Sequence, residues 1–227
     1  MANAVRDSTA IQIRVGGDLI EGDLLVPAAA SGLVVFAHGS GSSRFSGRNR
    51  AVALVLHRAG HATLLLDLLT RQEEVVDNAT REYRFDIERL GRRVTAALDW
   101  AQGQPVLAAL PAGCFGASTG AAAALIAAAE RPAIVRAVIS RGGRPDLAGD
   151  ALPLVQAPTL LIVGGDDEQV IELNRAAMRH MRAPVELAII PGATHLFEEP
   201  GTLEEVSRLA ADWCRRHLRD NAEKRGS

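Results

Sequence analysis

Gly116-Ala117-Ser118-Thr119-Gly120 sets a serine between two glycines where one kind of segment ends and another begins. Before it, Ala112-Gly113-Cys114-Phe115 is short and apolar, as a buried strand is. After it, residues 121–130 are almost all alanine, the strongest helix former. A serine on a sharp strand-to-helix turn projects from the backbone and can act as a nucleophile toward an acyl carbon. The turn brings two chain segments close to the serine, and a side chain at Gly116 or Gly120 would block them. With 21 glycines in the chain the five-residue pattern carries little weight alone. Its weight comes from the strand and helix beside it.

A serine nucleophile needs a base to take its proton and an acid to orient that base. Two later loops supply both types. The apolar run 159–163 ends in Gly164-Gly165-Asp166-Asp167, and the run 185–190 ends in Pro191-Gly192-Ala193-Thr194-His195. The expected set is Ser118, Asp167 and His195, in the chain order acid after serine and histidine last. The developing oxyanion needs two N–H donors. Thr119, directly after the nucleophile, offers one. The other is expected from Ser40 in His38-Gly39-Ser40-Gly41-Ser42-Ser43, the loop after the buried run 33–37. His38 itself reads as a hydrogen-bonder that steadies this loop.

The elements that must hold these residues alternate. Residues 11–15 and 19–26, around Gly16-Gly17, form a hairpin. Strands follow at 33–37, 62–66, 112–115, 137–139, 159–163 and 185–190. Helices are expected over 48–59, 83–102, 121–130, 170–182 and 202–220, the second amphipathic, with apolar Leu90, Val94, Leu98 and Trp100 among charges. Repeated strand–helix units imply a mostly parallel sheet with helices on both faces. The catalytic loops then all lie at the carboxyl ends of strands.

Composition bounds the remaining possibilities. The 227 residues suit one α/β domain over 1–220, with 221–227 a disordered tail, and 48% of them are hydrophobic. A net charge of −2, with both signs mixed along the chain, argues against nucleic acid or an anionic membrane as partner. Residues 1–10 lack the apolar core of a signal peptide, and no run is long enough to span a bilayer. The two cysteines, Cys114 and Cys214, have no disulfide or metal-ligand spacing, which points to the cytoplasm and to neither metal nor cofactor. The sequence carries no marker of an oligomeric state.

Four segments together resemble the dienelactone hydrolase-like branch of the α/β-hydrolases. They are Phe36 to Arg44 (FAHGSGSSR), Phe115 to Gly120 (FGASTG), Ile162 to Gly165 (IVGG) and Ala193 to Phe197 (ATHLF). The resemblance covers nearly the whole chain. It implies an α/β-hydrolase fold and hydrolysis of small esters, lactones or thioesters through an acyl-enzyme. The family shows Gly-Gly-x-Asp at the acid loop, which maps the acid onto Asp167 and leaves Asp166 at the variable place. Dienelactone hydrolases proper have cysteine at the centre of the elbow, where this chain has Ser118, so lactone specificity does not transfer. Cys114 reads as a buried apolar residue.

Residues 141–158 are too few for a full helical lid, so an open pocket for small substrates is expected. Arg141 and Arg144 lie at the active edge, and Arg44 and Arg48 flank the oxyanion loop. They are candidates to hold a substrate carboxylate or phosphate. Pairing with local carboxylates such as Asp67 and Asp146 is the favoured expectation for them.

Two other classes compete. Gly39-Ser40-Gly41 after a strand, with Asp67 closing the next, imitates a dinucleotide-binding fingerprint. It fails in detail, because Arg44 holds the third glycine place and the helix begins only near Arg48. A ligand-binding protein on this sheet is expected to lack a triad member, and none is missing. An acyltransferase or a haloperoxidase would keep the same triad.

Overall fold

A computed structural model describes residues 8–218, and eight strands of that span join in one sheet. The chain opens with the hairpin β1 (Thr9–Val15) and β2 (Asp18–Leu25), antiparallel as the Gly16-Gly17 turn requires. β3 (Gly32–Ala37) leads through α1 (Gly47–Arg58) to β4 (His61–Leu66). Then come α2 (Arg71–Thr80), α3 (Ile87–Gln102), β5 (Ala112–Ala117) and α4 (Thr119–Glu130). β6 (Val135–Arg141), a 3-10 helix (Pro145–Leu154), β7 (Thr159–Gly164), α5 (Glu168–Met178), β8 (Val185–Ile190) and α6 (Thr202–His217) complete it.

The strand order is β1-β2-β4-β3-β5-β6-β7-β8. β2 meets β4 antiparallel, and every later pairing is parallel. This is the α/β-hydrolase fold expected from the sequence. Strands β3, β4, β5 and β7 are buried along their whole length, so both sheet faces are covered. One face packs Val34, Phe36, Phe115 and Ile162 against α1 and α6, around Trp213. The other packs Val35, Cys114 and Val138 against α3 and the alanines of α4. Alanine lets α4 lie close to the sheet and to α3, with almost every residue of the helix buried.

Local expectations differ from the structure at α5, which spans Glu168–Met178 rather than 170–182, and at two places before β5. The expected helix over 83–102 begins at Ile87, because Asp86 caps it by accepting from the Arg89 N–H, 3.0 Å. The preceding turn is gripped by Asp77, whose carboxylate accepts from the Tyr83 and Arg84 amides at 2.8 and 2.9 Å. The sequence reading also assigned no helix to 71–80, where α2 lies. Its signal was present: Thr70 and Glu73 form a reciprocal capping box. The 141–158 gap holds only the short 3-10 helix, in keeping with the absence of a large lid. The tail 221–227 lies outside the described residues.

Candidate active site

The carboxyl ends of β3, β5, β6, β7 and β8 lie side by side, and the residues singled out in the sequence follow those ends. Ser118 directly follows β5 and precedes α4. Its backbone has φ 50° and ψ −122°, a conformation seldom adopted by a residue with a side chain. Gly116 and Gly120 are what allow this turn. A Cβ on Gly116 would lie 2.4 Å from the Gly120 carbonyl oxygen, and one on Gly120 only 2.3 Å from the carbonyl oxygen of Ala37. The elbow is therefore pressed directly against the loop after β3. That loop is pressed back: a Cβ on Gly39 would stand 3.0 Å from Cβ of Ser118.

The loops after β7 and β8 bring Asp167 and His195 together, with His195 Nδ1 2.7 Å from Asp167 Oδ2. Asp166 instead gives its amide to the Ala193 carbonyl, 3.0 Å, and so ties the two loops to each other. Gly142, just past β6, lies under the His195 ring: a Cβ there would be 3.6 Å from its Cε1. The amides of Ser40 and Thr119 meet no acceptor among the described residues, and Thr119 opens α4, where helix N–H groups lack intrahelical partners.

His38 is buried, with Nδ1 2.8 Å from the Gly39 carbonyl and Nε2 accepting from the Leu68 amide at 2.9 Å. Burial lowers its pKa, so it is neutral, and its two bonds fasten the loop after β3 to the end of β4. Cys114 is sealed in the core, where burial pushes the thiol up to about 12. A thiol so held is not a nucleophile at neutral pH.

The four arginines separate. Arg44 is held by Glu21 at 2.7 Å, Asp23 at 3.3 Å and the carboxylate of Asp67. Arg144 pairs with Asp146 through two bonds of 2.8 and 2.7 Å. Arg48 reaches Glu198 at 3.1 Å, a contact exposed to solvent. Arg141 is buried and meets no carboxylate among the described residues; its best contact there is a long one, Nη2 to Asn49 Oδ1 at 3.4 Å. A small polar cleft beside the loop after β3 is lined by that loop and by Glu74, Asp77, Asn78 and Arg84. The sequence reading did not single these out, since α2 and the turn after it supply them. Among the described residues no group of three or more His, Cys, Asp or Glu side chains is placed to hold a metal ion. No helix among them is long and apolar enough to cross a membrane.

Comparison with known proteins adds four findings. A model of the dienelactone hydrolase family matches residues 20–218. A crystal structure of dienelactone hydrolase from Anabaena variabilis shares 55% identity and superposes with a TM-score of 0.92, covering 93% of this chain and 98% of that one. Est1E from Butyrivibrio proteoclasticus shares the fold at 19% identity, with a TM-score of 0.77 over 92% of this chain and 98% of its own. A protein of Mycobacterium tuberculosis that carries the provisional name phosphoribosyl transferase is 57% identical over 208 residues, 92% of this chain. This chain spans only 46% of that relative's length.

Proposed function

The chain belongs to the dienelactone hydrolase family, and from that premise we propose that it is a serine hydrolase of small carboxylic esters, lactones or thioesters. The observation that carries this is the joint placement of a strained serine elbow and the 2.7 Å pair of His195 and Asp167 on neighbouring strand ends. In this reading Ser118 Oγ attacks the acyl carbon as His195 Nε2 takes its proton. Asp167 holds the Nδ1 proton and so keeps Nε2 as the acceptor. The amides of Ser40 and Thr119 stabilise the oxyanion. His195 returns the proton to the leaving alcohol or thiol, leaving the acyl group on Ser118. Water, deprotonated by His195, then releases the acid and restores the serine.

The reading needs no cofactor, and the short 141–158 connection suits small substrates. Residues 1–220 act as one domain in it. A binding protein with this fold would be expected to lack a triad member, and the sequence supplies a serine, an aspartate and a histidine at all three places. Acyl transfer to an acceptor other than water would use the same groups and differs only in what attacks the acyl-enzyme. The transferase name of the curated relative belongs to a protein twice as long, so we do not extend it to this chain. A panel of short aryl and alkyl esters, thioesters and lactones, run with the chain and with Ser118→Ala, tests the proposal. Turnover abolished by the substitution supports it. Turnover that survives the substitution, or no turnover of any member, overturns it.

A further inference from the structure

The strained serine elbow is held by one short stretch of chain. Arg141, at the end of β6, accepts the Ser118 amide on its carbonyl at 3.2 Å. A little further on, the Arg144 amide donates to the Ser118 carbonyl at 3.1 Å. Both backbone groups of Ser118 are thus tied to residues 141–144. Between them, Gly142 lies against the histidine loop: its φ is 50°, and a Cβ there would stand 3.0 Å from the His195 carbonyl oxygen. Gly143 is pressed inward, where a Cβ would fall 1.9 Å from Ser140 Oγ and 2.6 Å from Cβ of Ala121 on α4. One turn therefore touches both the nucleophile and the base.

Asn174 holds this turn from the other side. It lies on α5 and is wholly buried. Its Nδ2 donates to the Gly143 carbonyl at 3.0 Å and to the Val170 carbonyl, one turn back on its own helix, at 2.8 Å. Both neighbours accept only, so the amide nitrogen must face them. Oδ1 is buried as well and meets no donor among the described residues. A buried amide oxygen left unpaired costs stability. A leucine would fill about the same space without that cost, but it would leave the Gly143 carbonyl without its bond. The asparagine therefore serves the turn more than the packing of the core.

The helix that carries Asn174 begins at the acid. Asp167 is the N-cap of α5, about two turns before Asn174, and it meets His195 at 2.7 Å. The Gly142 amide also donates to Ile162 on β7, the strand that leads to Asp167, at 2.8 Å. One side chain thus fastens the helix opened by the acid to the turn that grips the serine and underlies the histidine.

We propose that Asn174 is a positioning residue: through Gly143 it fixes residues 142–144, and with them the separation of Ser118 from the Asp167–His195 pair. This rests on the hydrolase reading, whose triad it positions. Asn174 itself touches no reacting atom. Its loss frees the turn from α5, and proton transfer from Ser118 to His195 is the step most sensitive to a small misplacement. Substrate binding changes little.

The test compares Asn174→Leu, which removes the donor and keeps the volume, with Leu187→Ala. Leu187 packs against Val170 and Ile171 of the same helix, so its truncation loosens α5 without touching Gly143. Both variants should lower Tm. Asn174→Leu should also lower kcat about tenfold or more with KM changed less than about threefold, and slow fluorophosphonate labelling of Ser118 by a similar factor. Leu187→Ala should keep kcat within about twofold well below its Tm. Asn174→Asp carries the test if Asn174→Leu fails to fold. Its neutral carboxyl can donate to Gly143 and its ionised form cannot, and burial raises the pKa of such a group. Its kcat relative to the unaltered chain should therefore fall as pH rises through that ionisation. A kcat loss in Asn174→Leu no greater than in Leu187→Ala, or a ratio for Asn174→Asp that is flat with pH, overturns the positioning role alone. An unaltered chain that neither turns over any ester nor takes the label sinks the hydrolase reading, and the role falls with it.

Discussion

His195 Nδ1 lies 2.7 Å from Asp167 Oδ2, while the adjacent Asp166 turns its amide to Ala193 on the opposite loop. Two neighbouring carboxylates thus stand in different relations to one imidazole. Asp167→Asn should preserve shape but favour the wrong histidine tautomer, at a cost on the order of 10⁴ in kcat. Asp166→Asn should lose about tenfold or less. Steady-state kinetics of both variants on one activated ester compare them directly. An inactive Asp166→Asn beside an active Asp167→Asn would move the acid by one position.

Ser118 is expected to be the one hyper-reactive serine. A fluorophosphonate probe should label it, with the site read by peptide mass spectrometry, and Ser118→Ala should abolish both labelling and turnover. Cys114 and Cys214, both buried and with thiols pushed up to about 12, should resist iodoacetamide in the folded protein. Label on Ser40, Ser42 or Ser43 would contradict the assignment.

Gly120 should tolerate no side chain. A Cβ there would meet the carbonyl oxygens of Ala37 and His38 at 2.3 and 2.5 Å, backbone atoms at the end of β3 and the start of the loop that carries Ser40. Gly120→Ala is expected to cost about 3 kcal/mol or more in urea unfolding. It should also lower kcat, since relief of the clash displaces the Ser40 amide. Gly17→Ala, where nothing lies within 4 Å, serves as the control, with a change of about 0.5 kcal/mol or less.

Glu73 should make a visible contribution to acid unfolding. Burial raises its pKa, but Arg93, the Thr70 amide and Arg89 outweigh that and lower it to about 2. A folded value below the unfolded one gives stability that is complete above about pH 5 and is lost as pH falls toward 2. The whole effect is on the order of 3 kcal/mol. Glu73→Gln should therefore be less stable at pH 7, and its stability should fall less steeply between pH 5 and 2. Equilibrium denaturation across that range measures both slopes. Equal slopes would remove Glu73 from the acid transition.

Much of the architecture was legible because its signals are local. The apolar runs before Gly39, Gly116 and Gly165 mark buried strands, and the alanines after Ser118 mark a helix, each within one short window. The elbow, the acid loop and the histidine loop follow from where those runs end. Local signals also mislead: the apolar pattern of α3 continues back over the turn that Asp77 binds, and the capping box of α2 is only two residues, Thr70 and Glu73, in an otherwise polar stretch.

What only the tertiary structure decided are relations between residues far apart in the chain. Asp167 meets His195 across 28 positions, and Arg44 gathers carboxylates from β2 and the end of β4. The Arg144–Asp146 pair lies within one short window, as expected, but no window shows that Arg44 also gathers Glu21 and Asp23, or that Arg141 is buried without a carboxylate among the described residues, because those relations are set by strand order and packing. The hairpin joining beside β4, and β3 crossing to the centre, are settled by the same long-range burial. Periodicity and turn chemistry determined which elements form and where their loops fall. Burial of both sheet faces determined which side chains those loops set against one another.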